Sequence, residues 1–87
     1  MSIKVQLTYD MAREIGSNTI EVSGAKTVDD VLRLTRERFQ DGDEQYAKLT
    51  RVAALAVNGV LINYRRGRKT QVNDGDRVSF VKAAAGG

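Results

Sequence analysis

Residues 27–39 read TVDDVLRLTRERF. Thr27 followed three residues later by Asp30 has the spacing of a capping box, with Asp where Glu or Gln is usual. Asp29 adds a second negative charge at the end of a helix where the backbone dipole is positive. Val28, Val31, Leu32, Thr35 and Phe39 fall at i, i+3, i+4, i+7 and i+11, and Asp29, Arg33, Arg36 and Glu37 take the opposite side. The stretch predicts a helix with a single apolar stripe, already ended by Gly42. Such a helix is stable only when an apolar surface covers its stripe, so the rest of the chain must supply one.

Strands can supply it. Ile3, Val5, Leu7 and Tyr9 alternate with Lys4, Gln6 and Thr8, the period of a strand with one buried face. Residues 10–18 lose the alternation and contain Gly16-Ser17-Asn18, and residues 19–23 resume it, which predicts a hairpin with a wide loop. After the helix, residues 43–50 have room for a short turn with Tyr46 and Leu49 spaced to bury. In residues 52–62, VAALAVNGVLI, Asn58-Gly59 between two apolar runs is the sequence of a type I′ hairpin turn. Asn73-Asp74-Gly75-Asp76 makes a second turn into a final strand at 77–81, with Val78 and Phe80 on one face and Val81 on the other. The order is β-β-α-β-β-β, with no repeat, linker or proline. The economical closure is α+β: a mixed five-stranded sheet with one face covered by one main helix. Residues 1–82 form the domain and residues 83–87 a flexible C-terminal tail.

Composition narrows the chemistry. At 87 residues, 41% apolar and 29% charged, the chain fits one soluble globular domain. It has no cysteine, which removes disulfides, thiolate metal sites, iron–sulfur clusters and a thiol nucleophile, and no histidine for metal or acid–base work. Its carboxylates lie in caps and turns, and Asp41-Gly42-Asp43 and Asp74-Gly75-Asp76 do not continue into a calcium loop. The reading is of a protein with no catalytic residues of its own and no bound metal. The first ten residues, MSIKVQLTYD, are neither a secretory signal nor a membrane span, so a cytoplasmic location without membrane contact is expected. The formal charge of +3 is distributed unevenly, because Arg65, Arg66, Arg68 and Lys69 crowd five positions beside Tyr64. That run could grip phosphates and stack a base, or meet an acidic partner, and it also reads as an ordinary solvated hairpin loop.

The last six residues, Lys82-Ala83-Ala84-Ala85-Gly86-Gly87, abandon alternation for small side chains and then for none. Without Cβ atoms Gly86 and Gly87 can pass through a channel too narrow for side chains, and a carboxylate on Gly87 is unhindered. The same residues also suit a frayed terminus.

Asp74-Gly75-Asp76-Arg77-Val78, an apolar strand and a terminal Gly86-Gly87 resemble the ubiquitin-like sulfur carriers, the small subunit of molybdopterin synthase and the thiamine-biosynthesis carrier among them. Val57-Asn58-Gly59 is similar to that family's hairpin, and the order of elements matches its β-grasp fold over nearly the whole chain. Many carriers of the molybdopterin type place a proline pair where this chain has Lys82-Ala83-Ala84. The resemblance implies a mechanism. A ubiquitin-activating-type adenylylating enzyme, using ATP and Mg²⁺ that the carrier itself does not bind, would convert the Gly87 carboxylate to an acyl-adenylate. A sulfurtransferase persulfide or sulfide would displace AMP, and the Gly87 thiocarboxylate would pass its sulfur to an acceptor biosynthetic enzyme, for example a synthase large subunit. The resemblance also implies that Gly86 lets the tail thread, that Ala83, Ala84 and Ala85 keep it slim, and that Val81, on the uncovered sheet face, docks partner enzymes; Val81 equally suits filling a gap in the core. Arg65, Arg66, Arg68 and Lys69 are further candidates for docking. Two other readings stay open: a ubiquitin-like modifier conjugated through Gly87, and a nucleic-acid-binding β-grasp module.

Overall fold

The capping box at Thr27 forms as its spacing requires. Thr27 Oγ1 accepts from the Asp30 N–H at 3.3 Å, and Asp30 Oδ2 accepts in return from the N–H groups of Lys26 at 3.0 Å and Thr27 at 3.3 Å. The Lys26 N–H does most to hold the Asp30 carboxyl below its ordinary range, against partial desolvation; Thr27 and the Arg33 guanidinium add to it. The computed structural model describes residues 2–39, 43–51 and 53–82, so the expectations resting on Gly42, on Val52 and on the tail at 83–87 lie outside the described residues.

Helix α2, Val28–Arg36, buries Val28, Val31 and Thr35 along the expected stripe. It stops short of Phe39, because the Arg38 and Phe39 N–H groups donate three residues back, to Thr35 and Arg36, each at 3.0 Å. This tighter turn ends the helix and still leaves Phe39 in the core. The Thr35 hydroxyl is buried without a hydrogen-bond partner among the described residues. Thr35→Val keeps the side chain's shape and removes an unsatisfied polar group, so it should raise stability by about 1 kcal/mol, read as a higher urea midpoint at unchanged slope.

The five strands are β1 Ile3–Gln6, β2 Thr19–Val22, β3 Ala53–Val57, β4 Val60–Leu61 and β5 Arg77–Lys82. Their order across the sheet is β2-β1-β5-β3-β4, with β1 and β5 parallel and the other neighbours antiparallel. This is the mixed α+β roll of the β-grasp fold, closed by bringing β5 between β1 and β3. One core cluster joins Ile3, Val5 and Ile20 of the sheet to Val28 and Val31 of α2 and to Val78 and Phe80 of β5.

Two further helices stand where none was expected. Residues 10–18 are not a wide hairpin loop but contain α1, Tyr9–Ile15. Thr8 Oγ1 caps it by accepting from the Met11 N–H at 3.2 Å, and Gly16, at φ 91, closes it in the left-handed conformation, its N–H on the Ala12 carbonyl at 2.7 Å. Met11 and Ala12 enter the core, and Tyr9, expected to continue the buried face of the first strand, is instead 75% exposed at the start of the helix. The short turn expected at 43–50 is helix α3, Asp43–Arg51. Tyr46 docks it: the ring meets Phe39 edge-on with centroids 5.1 Å apart, and the hydroxyl donates to the Leu32 carbonyl at 2.9 Å. Burial, partly offset by Arg36 and Arg68, pushes the Tyr46 phenol up to about 12. Among the described residues α1, α2 and α3 each contribute side chains to the same cluster, so they cover one face of the sheet and leave the other open.

Candidate functional site

Strand β5 leads into the tail, and two turns fix its start. Asn58, at φ 49, and Gly59, at φ 87, have the paired positive angles of a type I′ turn. The Asn58 side chain then spans to the other turn: its Nδ2 donates to Asp76 Oδ1 at 3.1 Å and its Oδ1 accepts from the Arg77 N–H at 3.0 Å. The Asn58 backbone N–H donates to the Arg77 carbonyl at 2.8 Å, and Asp76 Oδ2 accepts from the Asn73 N–H at 2.8 Å. Val57-Asn58-Gly59 and Asp74-Gly75-Asp76, far apart in sequence, are thus two halves of one clasp at the base of β5. Asn58→Ala loses both side-chain bonds and strains the left-handed backbone, for an expected cost of about 2 kcal/mol. Asn58→Gly relieves the strain and should recover part of the loss; equal urea midpoints for the wild type and Asn58→Ala would remove the clasp from the account of the fold.

Beyond the clasp, Val78 and Phe80 point into the core, while Val81 is 46% exposed on the open face. Across the register Val81 sits beside Ala54, and Ser79 beside Ala56, which in turn pairs with the exposed Leu61 of β4. Arg77 and Lys4, neighbours on β5 and β1, border this apolar step with positive charge. Lys82, the last described residue, pairs with Ala53, and its ammonium lies 4.0 Å from Asp10 of α1. Val81 thus sits one residue before Lys82, on the face away from the helices. Ala83, Ala84, Ala85, Gly86 and Gly87 lie outside the described residues.

The basic run at 65–69 is not a simple hairpin loop. Two 3-10 turns, Ile62–Tyr64 and Gly67–Lys69, shape it. Thr70 anchors the second: its buried hydroxyl donates to the Gly67 carbonyl at 2.7 Å and accepts from the Arg66 N–H at 3.2 Å, and its carbonyl takes the first N–H of α2, that of Val28, at 2.9 Å. Arg68 pairs at the surface with Asp29 of α2 at 2.6 Å, whereas Arg65, Arg66 and Lys69 line a groove of about 540 Å³ with Thr70 and Gln71. The sequence reading grouped the four cations; the fold separates Arg68 from the other three. Neither Thr70 nor Asp29 was singled out as an anchor, since only their spatial neighbours reveal that role.

A cleft of about 460 Å³ between α2, α3 and the sheet has Leu32, Leu55 and Phe80 in its wall. Its charged rim is largely self-neutralised, Asp29 by Arg68 and Asp30 by Arg33 at 3.7 Å. Among the described residues no group of three or more carboxylates could hold a metal ion, and no helix is long and apolar enough to cross a membrane.

The ThiS family model matches residues 6–87. No curated protein matches the chain. Among solved structures, a chain of the BexX/CysO complex of Amycolatopsis orientalis superimposes with a TM-score of 0.78 at 23% identity, covering 98% of this chain and 99% of that one. Small archaeal modifier protein 1 of Methanosarcina acetivorans gives 0.77 at 24% identity, with 99% and 96% covered. A chain from the complex of subunits 1 and 2 of the molybdopterin-converting factor of Helicobacter pylori gives 0.61 at 23% identity, with both chains covered in full. At these identities the likeness establishes the fold.

Proposed function

Because the chain belongs to the ThiS family, whose model matches all but its first five residues, we propose that it is a sulfur carrier whose reacting group is the Gly87 carboxylate. The observation that supports this most directly is the family match extending through Gly86-Gly87. In this reading an adenylylating partner presents ATP with Mg²⁺, a carboxylate oxygen of Gly87 bonds to the α-phosphorus, and pyrophosphate leaves. Hydrosulfide then attacks the acyl carbon, AMP departs with the C–O bond electrons, and a thiocarboxylate remains. The carrier needs only an unhindered carboxylate on a slim tail of Ala83, Ala84, Ala85 and Gly86, together with a surface its partners can grip. Catalytic groups, ATP and Mg²⁺ belong to the partner. Two fold neighbours were solved as complexes, BexX/CysO and the two molybdopterin-converting factor subunits, and this supports a carrier that works against a partner protein.

The test is the intact mass of the untagged chain after incubation with host extract, ATP, Mg²⁺ and sulfide. The expected gain equals the replacement of one oxygen by sulfur, mapped to Gly87. No gain, while an authentic carrier of the family is converted in the same extract, overturns the reading. The likeness to small archaeal modifier protein 1 favours a second use of the same end, conjugation to other proteins. High-mass conjugates that disappear on deletion of Gly87 would mark it.

A further inference from the structure

Residues 53–73 contain no Asp or Glu and carry Arg65, Arg66, Arg68 and Lys69, so the chain's formal +3 is less than the charge of this one segment and the remainder is net negative. Arg68 is committed to Asp29, whereas among the described residues none of Arg65, Arg66 and Lys69 takes part in an ion pair. Tyr64, 81% exposed, adjoins them. The platform beneath is fixed: Ile62 is buried, and the N–H groups of Arg65, Lys69 and Thr70 donate to Ile62, Arg66 and Gly67 at 2.9, 3.1 and 3.0 Å. Cations on a fixed backbone lose less entropy on pairing than cations on a loose loop.

The platform also stands near the exit of the tail. Gly67 and Arg68 share a cleft with Ala53 and Ala54, the two residues paired with Lys82 and Val81. Five residues, fully extended, reach at most ~18 Å beyond Lys82. An enzyme that holds Gly87 therefore brings its own surface against this end of the sheet, beside the platform.

Resting on the carrier reading, we infer that Arg65, Arg66 and Lys69, with Tyr64, form a docking platform for an acidic surface bordering the tail-binding channel of the adenylylating enzyme. Its main contribution is to encounter: complementary charge raises association rates by roughly 10-fold or more and loses that advantage in salt. Three cations and one aromatic are too few for a nucleic-acid groove, which buries on the order of 600 Å² or more and stacks successive bases.

The test uses the full chain in the host-extract conversion, at limiting carrier concentration and at low and high sodium chloride. The variant Arg65→Glu/Arg66→Glu/Lys69→Glu should convert about 10-fold more slowly at low salt, and to within about 2-fold of the wild type at high salt. A control with the same change in charge elsewhere, Lys26→Glu/Arg38→Glu/Lys48→Glu, should stay within about 2-fold throughout. Matching circular dichroism and melting of both variants exclude unfolding. Equal slowing of both variants, or none, with the wild type converted, overturns the platform and leaves the carrier reading intact. Failure of the wild type to convert, while an authentic carrier of the family is converted in the same extract, overturns both. Binding of a single-stranded oligouridine probe that only the platform variant loses, with conversion unchanged, assigns the patch to RNA instead.

Discussion

Gly87→Ala, or one residue appended after Gly87, should reduce thiocarboxylate formation at least about 100-fold and leave the melting temperature unchanged. The expectation follows from what adenylylation would demand of the chain under the proposed carrier reading. The carboxylate must reach the α-phosphorus in a near-attack position, and a displacement on the order of 1 Å there costs about 100-fold in rate. In the proposed carrier reading, a methyl on the Gly87 Cα adds a substituent next to the reacting carbon and demands more room of the enzyme that holds it. An appended residue is more severe, because the Gly87 carboxylate becomes an amide. Gly86→Ala leaves the carboxylate intact and narrows only the fit, so it should cost less, about 10-fold. Among the described residues the core cluster ends at Phe80, so the fold is expected to keep its stability in all three variants. Intact mass measured over time, beside a melting curve for each variant, checks the expectation. Conversion of Gly87→Ala at the wild-type rate would mean that the reacting group lies elsewhere or that the chain is no carrier.

Where local chemistry and tertiary structure agree, the sequence was legible. Thr27 and Asp30 announced α2 because a capping box is made within four residues, and Asn58-Gly59 announced its hairpin because only a few residue types accept two positive φ angles in succession. The helix α1 was legible in principle: Thr8 caps it and Gly16 closes it, but an apolar pattern confined to Met11, Ala12 and Ile15 is too short to outweigh a turn signal. The end of α2 misled, because Phe39 keeps the helical period after the helix has tightened into another turn. What could not be read is what depends on distant partners. The bond from Asn58 to Asp76 spans 18 residues, and Arg68 finds Asp29 only after α2 and the 3-10 turns have packed together. The site divides in the same way: Gly86 and Gly87 are local features of the sequence, whereas the separation of Arg68 from its three neighbours exists only in the fold.

Phe80 and Val81 are adjacent on β5, and substitutions at them should have opposite consequences. Phe80 is 4% exposed, packs in the core cluster and walls the cleft beneath α2 with Leu55. Phe80→Ala removes that ring and leaves a cavity, for an expected loss of about 3–4 kcal/mol, a large share of the stability of a domain this size. The melting temperature should fall by roughly 15 °C. At temperatures where the variant is still folded its open face is unchanged, so conversion should stay within about 3-fold of the wild type. Val81 is 46% exposed, between Ala54 and the tail. Val81→Asp places a charge in water, so the only loss to the fold is β-propensity, within about 1 kcal/mol. If the open face is where the activating enzyme docks, the same charge must be desolvated on binding, and conversion at limiting carrier should fall by about 10–100-fold. Urea midpoints and conversion rates for both variants in one extract separate the two roles. A Val81→Asp variant that converts normally would move the docking surface off the open face, and a Phe80→Ala variant with an unchanged midpoint would take Phe80 out of the core.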